Sequence, residues 1–244
     1  MNRTAGRESH QEQEARVIDA SIACIDKSSP LDFTMAAVAK EAGLSLGSIY
    51  KHVQSKEDVL LAVATRVLRH QSRTFIDMLG LPLTTPERLV CDLLLSSEAR
   101  NLYPFGFHLE TLTSNDAILQ RASPRWVSEL QRIDDENQNL FVAALDKAVA
   151  EGELQVNAGE AQEVARKLFI GCWSLTVGFM QVAHRRAARS VDGQNEQLPF
   201  PLPVDHSAVQ AMKAFLNTFP WKTPLDEVGI RRAATALKKL GHRA

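Results

Sequence analysis

The sequence predicts an all-α protein, and three observations lead to this fold class. Apolar residues recur every three or four positions along most of the 244 residues, beginning with Val17, Ile18 and Ile22, which is the spacing of one helix face. Residues typical of helix caps stand where these segments begin. No pair of alternating strands joined by a hairpin turn is visible, and no repeat of solenoid length is present.

A long helix in the first third of the chain is placed by the residues that end it. It is predicted to begin at Lys56 and to run to about Leu79, because Gly80 and Pro82 then interrupt the apolar pattern. Later helices are predicted to begin where a capping hydroxyl precedes proline, since proline has no N–H to leave unpaired. These positions are Thr85-Pro86, Ser123-Pro124 and Thr223-Pro224.

The second half of the chain is predicted to hold long helices separated by one clear loop. The helix after Pro124 is expected to end at Gly152. Further helices are expected over residues 158–186 and 224–240. The loop covers residues 190–203, which contain three prolines and are expected to be disordered.

The interruption near Gly80 divides the chain into a domain of residues 1–80, with its core at 12–67, and a domain of residues 81–244.

Composition and charge exclude several classes of protein. The net charge of -1 excludes a protein that coats nucleic acid by bulk charge. Neither a signal peptide nor an apolar stretch of spanning length is expected, which favours a cytoplasmic protein.

The cysteines and histidines predict neither a metal site nor a cofactor. Cys24, Cys91 and Cys172 are widely spaced and are expected to be reduced, buried thiols, although a redox-sensing role stays open. His108 and Glu110 lie two residues apart, so they point in different directions on a helix. No metal-ligand spacing and no nucleotide-binding glycine pattern is visible in the sequence.

The strongest local signal is the segment 34–58, TMAAVAKEAGLSLGSIYKHVQSKED. Thr34, Ser45 and Ser55 can each cap a helix, which predicts two short helices and the start of the long one. Gly43 lies between the short helices, where a tight turn requires positive φ. Short helices are unstable alone, so packing must hold them. The apolar contacts are assigned to Val38, Ala39, Ala42, Leu44, Ile49 and Val53.

This layout predicts a three-helix domain containing a helix-turn-helix. Its second short helix, at about 46–52, would enter the major groove of DNA by its N-terminal end. The unpaired N–H groups at each helix start favour contact with phosphate oxygens.

The segment also resembles the DNA-binding domain of TetR-family transcriptional regulators over about residues 15–67. The matching residues are Ala42-Gly43-Leu44-Ser45, Gly47-Ser48-Ile49-Tyr50, His52 and Ser55-Lys56-Glu57. Val53 departs from the usual phenylalanine, and residues 28–32 lack the usual glycine. The family places this domain ahead of a larger helical domain for ligand binding and dimerisation.

The resemblance assigns roles to individual residues. The implied DNA-binding residues are Thr34, Ser45, Leu46, Gly47, Ser48, Tyr50, Lys51, His52 and Lys56. Among them Thr34 and Lys56 would bind phosphates, and Ser45 would cap the recognition helix. The implied protein is a ligand-responsive repressor that binds a palindromic operator as a homodimer, is released by a small molecule and is not an enzyme. A DNA-binding activator stays open as an alternative.

The rest of the chain supplies candidates for an effector pocket and a dimer interface. The candidates for the pocket are Phe105, Phe107, His108, Trp126, Phe169, Trp173 and Phe179, with ordinary core packing as the alternative. By the resemblance, segments 158–186 and 205–219 would pair with those of a second subunit, and an intramolecular helix pair is the alternative. The basic helix at 224–240 is expected to be a solvated face.

One motif suggests a different function class. Gly43-Leu44-Ser45-Leu46-Gly47 matches the G-x-S-x-G nucleophile elbow of serine hydrolases, which requires a strand before the serine. The residues before Ser45 are helix formers, so an esterase is the less favoured hypothesis.

Overall fold

A computed structural model describes residues 9–157, 159–187 and 200–244. These residues form twelve α-helices and no strand, which confirms the all-α prediction. The helices are α1 His10–Lys27, α2 Met35–Ala42, α3 Leu46–Ile49, α4 Lys56–Leu79, α5 Thr85–Leu94, α6 Ser97–Arg100, α7 Gly106–Thr113, α8 Asp116–Leu119, α9 Pro124–Ala150, α10 Ala161–Ala187, α11 Ser207–Leu216 and α12 Glu227–Leu240. Among the described residues, no helix combines the length and apolarity needed to cross a lipid bilayer.

Most predicted helix starts and ends agree with the structure, and four need correction. The second short helix ends at Ile49 rather than at about residue 52. The cap of α5 is Thr84 rather than Thr85, whose hydroxyl instead donates to Glu153 Oε2 at 2.5 Å. The last helix begins at Glu227 rather than after Thr223-Pro224, because the Asp226 carboxylate accepts the N–H of Gly229 at 2.7 Å. Helix α11 is shorter than the predicted segment 205–219. Residues 190–199 of the predicted loop lie outside the described residues.

The described chain divides into two compact units that differ from the predicted domains. The first unit contains residues 1–70 and 101–134, and the second contains 71–100 and 135–244. The predicted boundary near residue 80 follows the end of α4, but α4 and α9 each contribute residues to both units. A boundary inside a continuous helix leaves no glycine, proline or cap in the sequence to mark it.

The first unit has its own apolar core, built from α1 to α4 and closed by residues that come much later in the chain. Val17 and Ile25 of α1 pack with Leu61 and Val63 of α4, and Trp126 of α9 belongs to the same cluster. The short helices α2 and α3 depend on this core, because helices of one or two turns are unstable alone.

The second unit packs α5, α10, α11 and α12 around a separate apolar core. Its fully buried side chains include Leu93, Leu168, Met212 and Ile230. Helices α10 and α11 approach closely at Gly171, where a Cβ atom would lie 2.0 Å from Cζ of Phe215.

Candidate nucleic-acid interface

Side-chain caps define both helices of the predicted helix-turn-helix. The Thr34 hydroxyl accepts the N–H of Ala37 at 3.1 Å, and the Ser45 hydroxyl accepts the N–H of Ser48 at 3.1 Å. Gly43 ends α2 with φ of 62°, in the left-handed region that glycine adopts without strain. The caps and the turn therefore lie where the sequence predicts them.

The recognition helix α3 is held by its buried residues. It has only four residues, so its own hydrogen bonds are too few to keep it folded. Ile49 is fully buried, and Val53, just beyond the helix, is 1% exposed. Both belong to one apolar cluster with Val38 and Ala42 of α2, which fixes α3 against α2.

The opposite side of α3 is exposed. Leu46 and Tyr50 are 42% and 44% exposed, although both are large side chains with apolar surface. Gly47 and Lys51 are also exposed, and Ser48 is half-buried. This face therefore presents two hydroxyls, an ammonium, an aromatic ring and an aliphatic side chain beside a backbone that lacks a Cβ at Gly47, a mixture suited to base edges and phosphates.

Lys56 places its positive charge beside the start of α2. Its Nζ donates to the carbonyl of Leu31 at 2.9 Å and lies 4.7 Å from the centre of the Phe33 ring. The unpaired N–H groups after Thr34 carry partial positive charge as well. An ammonium group next to a helix start favours a phosphate oxygen between them.

His52 is the one predicted groove residue that the structure turns inward. It is 3% exposed, its ring centre lies 4.4 Å from that of His10, and its carbonyl accepts the Trp126 Nε1–H at 3.2 Å. Burial lowers the pKa of the His52 imidazole. The prediction that His52 faces DNA is wrong, because α3 ends at Ile49 and the following turn points position 52 into the core.

Asp58 is a structural residue that also joins distant parts of the chain. Its carboxylate is fully buried and accepts the N–H of Gln54 at 2.7 Å and that of Ser123 at 2.6 Å. Asp58 therefore joins the start of α4 to the turn after α3 and to the start of α9. The Ser55-x-x-Asp58 spacing was the available signal for the local cap, but nothing in the sequence indicates the bond to Ser123.

The seven candidates for an effector pocket fall into two groups in different units. Phe105 and Trp126 are buried in the core of the first unit, Phe107 is half-buried and His108 is exposed. In the second unit, Phe169 packs edge-on against Phe141. Two further members of the second-unit group are Trp173, which is 59% exposed, and Phe179, which is half-buried. The effector pocket stays a prediction.

The nucleophile-elbow interpretation is wrong for Ser45. The residues before it form α2 and a glycine turn rather than a strand. The Ser45 hydroxyl caps α3 and lies 2.9 Å from the Ser48 hydroxyl. Both features are those of a helix cap and lack the strand-turn-helix geometry that activates a nucleophilic serine.

A family model matches the region that contains the candidate interface. The model described as bacterial regulatory proteins, tetR family, matches residues 17–63, which run from α1 into α4 and include the exposed face of α3. Over these residues the chain is similar to regulatory proteins of the TetR family. The TetR-family match and the sequence resemblance therefore rest on the same helices.

Relatives and solved structures extend this comparison. A mycobacterial relative from Mycobacterium bovis, an uncharacterized HTH-type transcriptional regulator, is 35% identical over 65 residues, which are 27% of this chain and 33% of the relative. This chain therefore matches about a third of that relative's length. A crystal structure of a TetR-family transcriptional regulator from Mesorhizobium loti has 19% identity and a TM-score of 0.57, covering 87% of this chain and 100% of that one.

A second solved structure shares the fold and contains a small molecule. It is a transcriptional regulator from Saccharomonospora viridis in complex with choline, with 19% identity and a TM-score of 0.52. The similarity covers 85% of this chain and 97% of that chain. At this identity the comparison shows a common fold.

Proposed function

We propose that this chain is a DNA-binding transcriptional regulator of the TetR family that acts as a homodimer and responds to a small molecule. The observation that carries the proposal is the coincidence of the family match at residues 17–63 with the exposed face of α3. We assign DNA binding to the first compact unit, and dimerisation and effector binding to the second. We propose that the protein represses transcription in the cytoplasm and that it is not an enzyme.

DNA recognition is assigned to the exposed end of α3 and to the two neighbouring helix starts. Leu46 and Tyr50 would enter the major groove, and Lys51 would bind a phosphate at its edge. The capped starts of α2 and α3 would bind further phosphates through their N–H groups. Residues 1–56 contain seven basic and seven acidic residues. Since bulk attraction is therefore weak, affinity depends on placed contacts and on the engagement of two half-sites.

Dimerisation is assigned to α10 and α11. Ile170, Trp173 and Val182 of α10 are 46%, 59% and 57% exposed, and exposed apolar groups on one helix favour a subunit interface. A dimer would place its two recognition helices about 34–36 Å apart, so the operator should be an approximate palindrome.

The effector class is inferred from the shared fold. The related fold of the Saccharomonospora viridis regulator holds choline, which supports a small organic effector for this chain as well. The effector would release DNA by binding more tightly to a dimer whose two DNA-binding units no longer match the operator spacing.

DNA footprinting on the promoter next to the gene tests the proposal. Lys51→Ala should weaken binding to every sequence and reduce the salt slope by about 1, because one phosphate contact is lost. Tyr50→Ala should cost about 1–3 kcal/mol and relax base preference. The control is Lys147→Ala on α9, which removes an exposed lysine paired with Glu151. Wild-type footprints from both Lys51→Ala and Tyr50→Ala would contradict this assignment.

A further inference from the structure

Three potential metal ligands meet beside the recognition helix, on elements far apart in sequence. His10 and Glu14 are one helical turn apart on α1, so they lie on the same face. His52 follows α3. One ligand atom from each residue lies within 4.8 Å of the others, and His52 Nδ1 is 3.8 Å from Glu14 Oε2.

His52 is the observation that points to a ligand. Its side chain is 1% exposed, yet neither ring nitrogen has a hydrogen-bond partner. A buried polar group without a partner is costly, and native proteins rarely leave one unsatisfied. The distance of 3.8 Å to Glu14 is too long for a hydrogen bond, but it leaves room for an ion between the two side chains.

We propose that His10, Glu14 and His52 bind a divalent transition-metal ion, with Zn²⁺ as the best match. Two imidazoles and one carboxylate suit Zn²⁺, whereas Mg²⁺ and Ca²⁺ prefer sites made only of oxygen. Zinc bonds of about 2.0–2.2 Å require ligand atoms about 3.3 Å apart in a tetrahedron. The ligand atoms, now within 4.8 Å of one another, would have to approach to that spacing, and His10 is exposed and Glu14 half-buried, so that both side chains have room to rotate.

An open cleft lets an ion reach Glu14, and Arg125 competes with the ion for the Glu14 carboxylate. Glu14 lines an open cleft of about 380 Å³, so a hydrated ion reaches the carboxylate from solvent. Arg125 of α9 donates through Nη2 to both Glu14 oxygens, at 2.6 and 2.7 Å. Zn²⁺ and Arg125 therefore compete for Glu14, and loss of the arginine frees the carboxylate for the metal.

The consequence for DNA binding rests on the proposed function. His52 lies three residues after the end of α3, so a metal that joins it to α1 holds the end of the recognition helix in one position. Fixing a helix in its bound conformation reduces the ordering cost of binding. Zn²⁺ is therefore expected to tighten operator binding by at least about five-fold, the lower end of typical coupling between sites.

Calorimetry and cobalt spectroscopy on the untagged full chain, without DNA, test the metal site itself. Zn²⁺ should bind at one ion per chain, and Co²⁺ should give the visible absorption of nitrogen and oxygen ligation. Excess Mg²⁺ should not displace the metal. Absence of Zn²⁺ binding, or equal binding of Mg²⁺, would overturn the proposal.

Variants separate this site from adventitious histidine binding. His10→Ala changes an exposed residue. His10→Ala and Glu14→Gln should each weaken Zn²⁺ binding at least about ten-fold, since the loss of a residue that only hydrogen-bonds to a metal ligand already costs that much. His108→Ala, at another exposed histidine, is the matched control and should bind as wild type does. Arg125→Gln should bind Zn²⁺ more tightly than wild type. Equal affinity in wild type and His10→Ala would overturn the assignment.

A DNA-binding experiment measures operator affinity in the presence of Zn²⁺ and in the presence of a chelator, for wild type and for His10→Ala. Wild type should bind more tightly with Zn²⁺, and His10→Ala should not respond. Metal binding without any change in operator affinity would overturn the regulatory role. Absence of DNA binding under both conditions would instead refute the proposed function, because the metal measurements do not depend on DNA.

Discussion

Gly171→Ala tests the close approach of α10 and α11. A Cβ atom at this position would lie 2.0 Å from Phe215 Cζ and 2.7 Å from each Cε. Ordinary carbon contacts are about 3.5–4.0 Å, so the Phe215 ring would have to retreat by about 1.5 Å. Gly178 lies two turns further along α10 and has no atom within 4 Å of an added Cβ, which makes it a matched control.

The magnitude follows from two opposing effects. Replacing glycine by alanine inside a helix favours folding by about 1 kcal/mol at either position. Overpacking at Gly171 costs about 1–3 kcal/mol, and no such cost arises within the protomer at Gly178. Because the helix effect is common to both variants, Gly171→Ala should be less stable than Gly178→Ala by about 2 kcal/mol.

Urea unfolding followed by circular dichroism measures this difference. All variants are compared at one protein concentration, after sedimentation has shown equal stoichiometry, because the stability of a dimer depends on concentration. In a Phe215→Leu background the difference between the two alanine variants should shrink to a few tenths of a kcal/mol. Equal stability of Gly171→Ala and Gly178→Ala in the wild-type background would refute the reasoning.

Three further predictions concern other parts of the chain. Asp58→Asn should lower the free energy of unfolding by about 1–3 kcal/mol, since an amide cannot accept both buried N–H groups that the carboxylate accepts. The control Asp205→Asn, at an exposed position, should leave the free energy of unfolding unchanged. Equal urea midpoints for the two variants would contradict the prediction. Trp173→Glu should convert a dimer to a monomer in sedimentation without changing helix content, and an unchanged mass would exclude α10 from the interface. Burial raises the pKa of the Cys91 and Cys172 thiols to about 12, so at pH 8 both should react slowly with a thiol reagent until the protein unfolds; rapid reaction in the native protein would reopen a redox role.

The sequence predicts the helix-turn-helix well because its determinants are local. Thr34, Gly43 and Ser45 each act within three or four residues of their own position, and the structure confirms all three. Helix α4 is equally local, since Ser55 begins it and Gly80 follows its end. Caps and turns of this kind depend little on distant parts of the chain.

The errors arise where the outcome depends on distant contacts. His52 was predicted to face DNA as part of a longer recognition helix, but its position is fixed by the indole of Trp126, which lies 74 residues later. The three-ligand cluster was invisible for the same reason, since His52 and His10 lie on separate elements and no short spacing joins them. Helices α6 and α8 have four residues each, too few to show a helical period.

Selection from a pool of random-sequence DNA duplexes tests the central claim most directly. The wild-type chain should enrich an inverted repeat whose half-site centres lie about one helical turn, or a multiple of it, apart. Tyr50→Ala should enrich a more degenerate sequence at the same spacing, because it removes a groove contact from both half-sites. No enriched sequence from the wild-type chain, or an identical one from Tyr50→Ala, would contradict sequence-specific DNA recognition by the exposed face of α3.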